Sequence, residues 1–72
     1  MARLTPAQYD ALERAVTRGQ RLVLSRRGTE YIVVAQRLLL DGGRERIASV
    51  HPSTGDALTF YIDEVDSIQV IP

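Results

Sequence analysis

The side chains best suited to chemistry in this chain are arginines at predicted hairpin turns, with tyrosines close to them in sequence. Guanidinium groups bind phosphates and stack on nucleotide bases, and a tyrosine ring offers a base a stacking platform. Turns and adjoining strand faces that carry such side chains can meet single-stranded nucleic acid. The candidate residues for binding nucleic acid or another partner are Arg26, Arg27, Arg44, Arg46, Tyr31 and Tyr61.

The charge balance of the chain argues against a nucleic-acid protein. The formal net charge is zero and aromatic residues make up 6% of the chain, whereas nucleic-acid-binding domains are usually basic. Ordinary solvated arginines and half-buried tyrosines are therefore the alternative explanation.

Charge is also unevenly distributed along the chain. Residues 1–46 contain all nine arginines and five of the nine acids, so residues 1–46 and 47–72 carry formal charges of +4 and −4. Such polarity can attract a charged partner or a second copy. The interpretation that we favour is that the two halves lie together in the fold and neutralise each other.

Other reactive groups lack partners. His51 is the only histidine and the chain has no cysteine, so neither a thiolate nucleophile nor a cysteine metal site exists. Asp63, Glu64 and Asp66 are acidic, but neighbours on one turn diverge and lack the spacing of a calcium loop. We expect Asp63 to cap that turn and His51 to lie at a strand end on the surface. These patterns predict no catalytic residue, no metal and no cofactor.

The first predicted element is a helix over residues 5–18. Thr5 and Gln8 have the spacing of a capping box, and Pro6 occupies the first helical position. Gly19 then ends the helix in a left-handed conformation. The apolar stripe is narrow, which predicts a helix seated across one opening of a barrel; its residues are Tyr9, Leu12, Ala15 and Val16.

The rest of the chain, residues 20–71, predicts short strands and tight turns. The second strand is long and apolar on both faces, so we expect it to bend sharply and serve two sides of a barrel. Residues 63–66 predict a single helical turn. Together the elements predict one domain over residues 1–72: a helix at 5–18 and a closed, five-stranded, Sm-like small barrel at 20–71, without exposed edges. The predicted strands are 20–25, 30–40, 44–51, 57–62 and 67–71.

From Leu12 onward the chain resembles the WYL domain of bacterial transcription regulators. The resemblance rests on turn glycines and apolar spacing, at residues 12–16, 19–22, 37–39, 43–44, 52–55 and 59–63. The Trp-Tyr-Leu of that family is replaced here by Glu45-Arg46-Ile47, and the arginines flanking its penultimate strand by Tyr61 and Glu64. The resemblance therefore implies the fold but not the ligand site of the family.

The helix is also similar to that of the small antiterminators that bind transcription factor Rho. Residues 9–15 show the pattern Tyr-Asp-x-Leu-Glu-x-Ala, and those proteins are free-standing, Sm-like and of about this length. Their contacting face is generally acidic, whereas this helix carries Arg14 and Arg18. Both resemblances imply a role in bacterial transcription, and they disagree on the partner.

Taken together, the sequence predicts a cytoplasmic, non-enzymatic interaction module in bacterial transcription or RNA regulation, with single-stranded nucleic acid or a protein of the transcription machinery as partner. The alternatives are an adaptor that docks a protein through barrel edges or the acidic residues 56–66, a Rho-type antiterminator-like regulator, and a self-assembling barrel. The absence of cysteine and of a signal peptide favours the cytoplasm. The apolar runs are too short to span a bilayer.

Overall fold

The computed structural model describes residues 3–72, which form one helix, five strands and one 3-10 turn. The kinds and order of these elements agree with the sequence prediction, and their ends lie within two residues of it. The elements are α1 (Pro6–Arg18), β1 (Arg21–Arg26), β2 (Thr29–Asp41), β3 (Arg44–Val50), β4 (Ala57–Tyr61), η1 (Ile62–Glu64) and β5 (Ser67–Ile71).

The strands form one antiparallel sheet in the order β4-β3-β2-β1-β5. The prediction of a closed barrel is wrong, because β4 and β5 are the two outer strands and do not pair with each other. Closure needs a hydrogen-bonded ladder between the first and last strands of the sheet. Apolar periodicity shows which face of a strand is buried, but it carries no information about whether two outer strands come within hydrogen-bonding distance.

Helix α1 begins and ends as its residues predict. The Thr5 hydroxyl accepts a hydrogen bond from the Gln8 backbone N–H at 3.2 Å, and the Gln8 side chain accepts one from the Thr5 N–H at 2.9 Å. Gly19 has φ +64°, which a glycine adopts without strain. Leu12 and Ala15 are buried and α1 packs on β2 and β5.

A bulge in β2 gives the sheet its curvature. Pairing with β3 skips one residue, Gln36, between Ala35 and Arg37, which bends the strand at that point. The Phe60 ring on β4 consequently reaches the Tyr31 ring on β2, with centroids 5.2 Å apart, although β3 lies between the two strands in the sheet. The predicted bend of the long strand is therefore confirmed, but it produces a curled open sheet.

The β1–β2 hairpin has a two-residue turn that fixes its register. Arg27 and Gly28 have φ of +52° and +79°, as a type I′ turn requires at both central positions. Arg26 therefore pairs with Thr29 next to the turn, and such a closing pair is hydrogen-bonded in both directions. Because hydrogen-bonded pairs alternate with unbonded ones, this turn determines which backbone groups of β1 face β2 and which face β5.

The core lies between α1 and one face of the sheet, which we call the core face; the other side is the outer face. The Ser49 hydroxyl is buried there and donates a hydrogen bond to the Leu58 carbonyl at 2.7 Å. The buried apolar residues are Leu12, Ala15, Leu22, Leu24, Val33, Ala35, Ile47, Phe60, Ile62 and Val65.

Candidate functional site

The six predicted contact residues do not share one surface. Tyr31 pairs with buried Leu24 and so lies on the core face, as does Arg26, two residues after Leu24 in the same strand. Arg44, Arg46 and Tyr61 lie on the outer face. Along β3, Arg44 and Arg46 point away from the side of buried Ile47, and Tyr61 on β4 pairs with Arg46. Arg27 lies at the tip of the β1–β2 turn.

Arg26 covers the aromatic end of the core. Its guanidinium carbon lies 5.2 Å from the centroid of the Tyr31 ring and 5.1 Å from that of Phe60, distances typical of a cation–π contact. Its Nη2 donates a long hydrogen bond to the Tyr31 hydroxyl at 3.5 Å. The Tyr31 ring is half-buried and is occupied by contacts within the chain.

Arg44 is held by the acidic residues of η1. Its guanidinium donates to both Asp63 carboxylate oxygens, from Nε at 2.9 Å and from Nη2 at 2.8 Å, and also to Glu64 at 3.2 Å. The same group lies 3.9 Å from the Tyr61 ring centroid. A two-pronged contact of this kind orients both partners. Arg44 and Tyr61 are thus engaged with each other on the outer face.

The prediction that Asp63 caps its turn is wrong. The residue preceding η1 is Tyr61, and no side chain caps the turn. The Asp63 carboxylate instead accepts the two Arg44 hydrogen bonds, which are stronger than bonds from neutral backbone donors. Asp66 has a related role, since it accepts a hydrogen bond from the Arg27 backbone N–H at 3.1 Å. These contacts bring the acidic second half of the chain against the basic first half, as the favoured interpretation of the charge pattern predicts.

Arg46 differs from the other candidate residues in the hydrogen bonding of its side-chain Nε. Its Nε is buried and makes no hydrogen bond with the described part of the chain, residues 3–72. The nearest carboxylate oxygen, on Asp41, is 3.7 Å away, which is close enough for charge attraction and too far for a hydrogen bond. The side chain is 26% exposed, so Arg46 contributes mainly its aliphatic stem to this end of the sheet.

We expect Asp63 to make stability depend on pH in the acid range. Hydrogen bonds from Arg44 lower the pKa of the Asp63 carboxyl below its ordinary value of 3.8, so its stabilising contribution is complete above that value. The contribution is lost as pH falls through the lowered folded-state pKa. In melting curves recorded from neutral to strongly acid pH, Asp63→Asn should weaken the fall in Tm below about pH 4.

The effect will be small, because the Asp63 side chain is 43% exposed. Asp56→Asn is the control, since Asp56 is exposed and forms no ion pair within residues 3–72. Identical acid profiles for Asp63→Asn and the parent would contradict the contact.

His51 organises the turn between β3 and β4. The exposed ring accepts hydrogen bonds at Nδ1 from the backbone N–H groups of Ser53 at 3.1 Å and Thr54 at 3.3 Å. Its surface position at the strand end is therefore as predicted. In the described part of the chain no three His, Cys, Asp or Glu side chains are grouped to hold a metal ion.

The feature that the sequence prediction missed is the free edge of β5. In β1, Arg26 exchanges hydrogen bonds with β2, so by alternation the backbone groups of Val23 and Ser25 face β5. Their β5 partners are Gln69 and Ser67. The intervening backbone N–H and C=O groups of β5, at positions 68 and 70, therefore point away from the sheet.

A groove runs between this edge and the helix. It has a volume of about 290 Å³, and we call it the α1–β5 groove. The side chains of Ile68 and Val70 are half-buried and pack against the core. The walls include Leu4, Gln8, Ala11, Leu12, Ile68 and Val70.

A second opening lies beside the first half of β2. Pairing of β2 with β3 begins only at Val34, which leaves the preceding stretch without a neighbour on that side. Ile32 in this stretch is 50% exposed. The cleft has a volume of about 480 Å³ and extends to His51 and Leu58. It is wider and more polar than the α1–β5 groove, with Arg21 and Glu30 at its walls.

Comparison with known proteins assigns this chain to no family. No protein-family model, curated protein or solved structure matches this chain. Among residues 3–72 no helix is long and apolar enough to cross a membrane.

One sequence signal bears on the edges. Residues 57–61 and 67–71 contain no charged side chain, although edge strands of soluble proteins are commonly protected by lysine, proline or inward-pointing charges. In the predicted barrel these two strands would have no free edge. In the open sheet the same strands are unprotected edges.

Proposed function

We propose that this chain is a non-enzymatic interaction module that binds an extended protein segment along an open edge of its sheet. The observation that carries the proposal is that both outer strands, β4 and β5, are uncharged and that, within residues 3–72, each is paired on one side only. An extended segment can join such an edge by main-chain hydrogen bonds, with side chains at alternate positions supplying specificity.

The biological setting that we propose is bacterial transcription or RNA regulation. Its support is the resemblance of residues 12–63 to WYL domains and of residues 9–15 to the Rho-binding antiterminators. A protein of the transcription machinery is the partner that agrees with the antiterminator resemblance and with an edge-binding mode.

Single-stranded nucleic acid is the second candidate, and Arg27 is the residue that favours it. Arg27 is exposed at a turn tip, and its side chain has no ion pair in the described chain. The other residues proposed to contact nucleic acid already contact each other within the protein: Arg26 lies over Tyr31 and Arg44 lies over Tyr61. Nucleic acid would have to displace these contacts. Edge binding of a protein needs no such rearrangement.

The test is an NMR titration of the ¹⁵N-labelled full chain. The probes are peptides selected on it from a random peptide display library, and short single-stranded DNA and RNA. We expect the peptides to shift backbone amides of β4 or β5, with an affinity that depends less on salt than that of an oligonucleotide. Peptides that shift neither strand would contradict the proposal.

Oligonucleotide binding instead would favour the second candidate if its affinity fell about tenfold or more across a physiological salt range. Arg27→Glu should then weaken it. Arg37→Glu is the matched control, because Arg37 is an exposed arginine in β2, away from that turn.

A further inference from the structure

We propose that the α1–β5 groove is the peptide-binding site, and that its ligand is an extended peptide with alternating apolar side chains and an acidic residue. This inference rests on the proposed function and specifies which edge is used and the chemistry of the partner. Four features support this proposal. They are the main-chain groups of β5, the apolar walls of the groove, the two arginines beside it, and the packing of the protein's own edge side chains in its core.

The main-chain groups are available in the spacing of a strand. The backbone N–H and C=O of Ile68 and Val70 point outward, since the intervening groups of β5 bond to β1. One residue of an added strand can exchange two hydrogen bonds with each of these positions. The peptide would become the sixth strand of the sheet, beside β5.

The walls of the groove select apolar side chains. Alternate residues of an added strand point to the core face, where they meet Leu12, Ile68 and Val70 and the exposed part of Ala11. A volume of about 290 Å³ is at the lower limit of about 300–1,000 Å³ for small-molecule pockets. The space suits individual peptide side chains inserted between the helix and β5.

Within residues 3–72 no charged residue lines the groove, but two arginines follow its Ala11 wall along the helix. Ala11 lines the groove, and Arg14 and Arg18 lie three and seven residues further on, so helical spacing places them on the same flank. Both are exposed and neither forms an ion pair within residues 3–72. Asp10, one turn before Arg14, does not pair with it. An acidic residue in the peptide would complement this flank.

A second copy of the chain does not supply the required side chains. The core-face residues of its β4 edge, Leu58 and Phe60, are packed in its own core, and Phe60 is only 1% exposed. Ile68 and Val70 of its β5 are packed against its core in the same way. Only a strand whose side chains are free on both faces can fill the groove, and a flexible peptide segment is such a strand.

The experiment uses a synthetic peptide of alternating valine and threonine with one terminal aspartate, and a counterpart with lysine in place of the aspartate. Each is titrated into the ¹⁵N-labelled full chain. We expect the aspartate peptide to shift the amides of Ile68 and Val70 and of α1 around Ala11. Arg14→Glu with Arg18→Glu should weaken the aspartate peptide about three- to tenfold and strengthen the lysine peptide.

Two matched controls distinguish the effects of charge and of groove shape on binding from a loss of folding. Arg21→Glu with Arg37→Glu makes the same charge change on exposed arginines of the sheet and should leave both affinities unchanged. Ala11→Phe fills the groove from a helix position and should abolish binding, whereas Glu13→Phe, on an exposed position of the same helix, should not. Circular dichroism of each variant verifies that it is folded.

The outcomes distinguish this inference from the proposed function. Shifts confined to β4 or to the β2 cleft would overturn the groove assignment and leave edge binding intact. Absence of binding by both peptides, and by library-selected peptides, would overturn both. Shifts of Ile68 and Val70 that grow with protein concentration without peptide, together with a dimer in sedimentation, would assign the edge to a second copy and overturn the inference.

Discussion

Phe60→Ala is expected to remove a large share of the protein's free energy of unfolding and to lower its urea midpoint clearly. The Phe60 ring is 1% exposed and is the contact by which β4 reaches the Tyr31 ring across the curled sheet. Removing a buried phenylalanine costs about 3–5 kcal/mol. A domain of this length has about 4–11 kcal/mol of stability in total, so the loss takes a large share of it.

Urea unfolding followed by circular dichroism measures this loss. Phe60→Leu keeps most of the apolar volume and should cost clearly less. Thr59→Ala is the control at an exposed position of the same strand, and its midpoint should stay close to the parent value. A midpoint of Phe60→Ala equal to that of Thr59→Ala would show that β4 does not curl onto β2 as described.

The second large effect is expected from Leu12→Ala. Leu12 is 2% exposed and is the largest buried side chain that α1 contributes to the core. Its truncation should cost about 2–5 kcal/mol. The α1–β5 groove also loses a wall, since Leu12 lines it. The variant should therefore lose both stability and any peptide affinity of the groove.

Hydrogen exchange locates the effect of this substitution. If α1 is held mainly by Leu12, amides of the helix should exchange much faster in Leu12→Ala than amides of β1 and β2, because loosely packed elements open first. Tyr9→Ala, at a 40% exposed helix position, should show neither change. Uniform protection of α1 in both variants would mean that other contacts hold the helix.

The open sheet changes the interpretation of the arginines. At the hairpins of a barrel, the arginines would be candidates for contacts with nucleic acid. In the fold, Arg26 covers the core-face aromatic rings and Arg44 lies on the outer face with Asp63. Arg26 and Arg44 therefore make intramolecular contacts, whereas β4 and β5 have no further strand beside them among residues 3–72.

Much of the fold could be predicted from local patterns. The capping box of Thr5 and Gln8, the alternation of Leu22 and Leu24, and the glycines at the turns each act over a few residues. Such interactions are set by backbone sterics and by short-range hydrogen bonds. They determined the number, order and limits of the elements, and which residues face the core.

Part of the candidate site could not be predicted in this way. The contact of Arg44 with Asp63 joins residues that are far apart in sequence, and several arginines and acids could have paired equally well. The same holds for the orphaned Nε of Arg46. Charge pairing depends on distances in three dimensions. The order of charges along the chain gives the overall charge balance but not these distances.

The amino-acid sequence by itself determined a capped helix followed by five strands in this order. Only the tertiary structure decided that β4 and β5 remain apart and that β5 leaves an apolar groove beside α1. The physical reason is that helix caps, turns and alternation depend on neighbours in the chain. Sheet closure depends on the curvature accumulated over all the strands, and here the bulge in β2 curls the sheet without joining its edges.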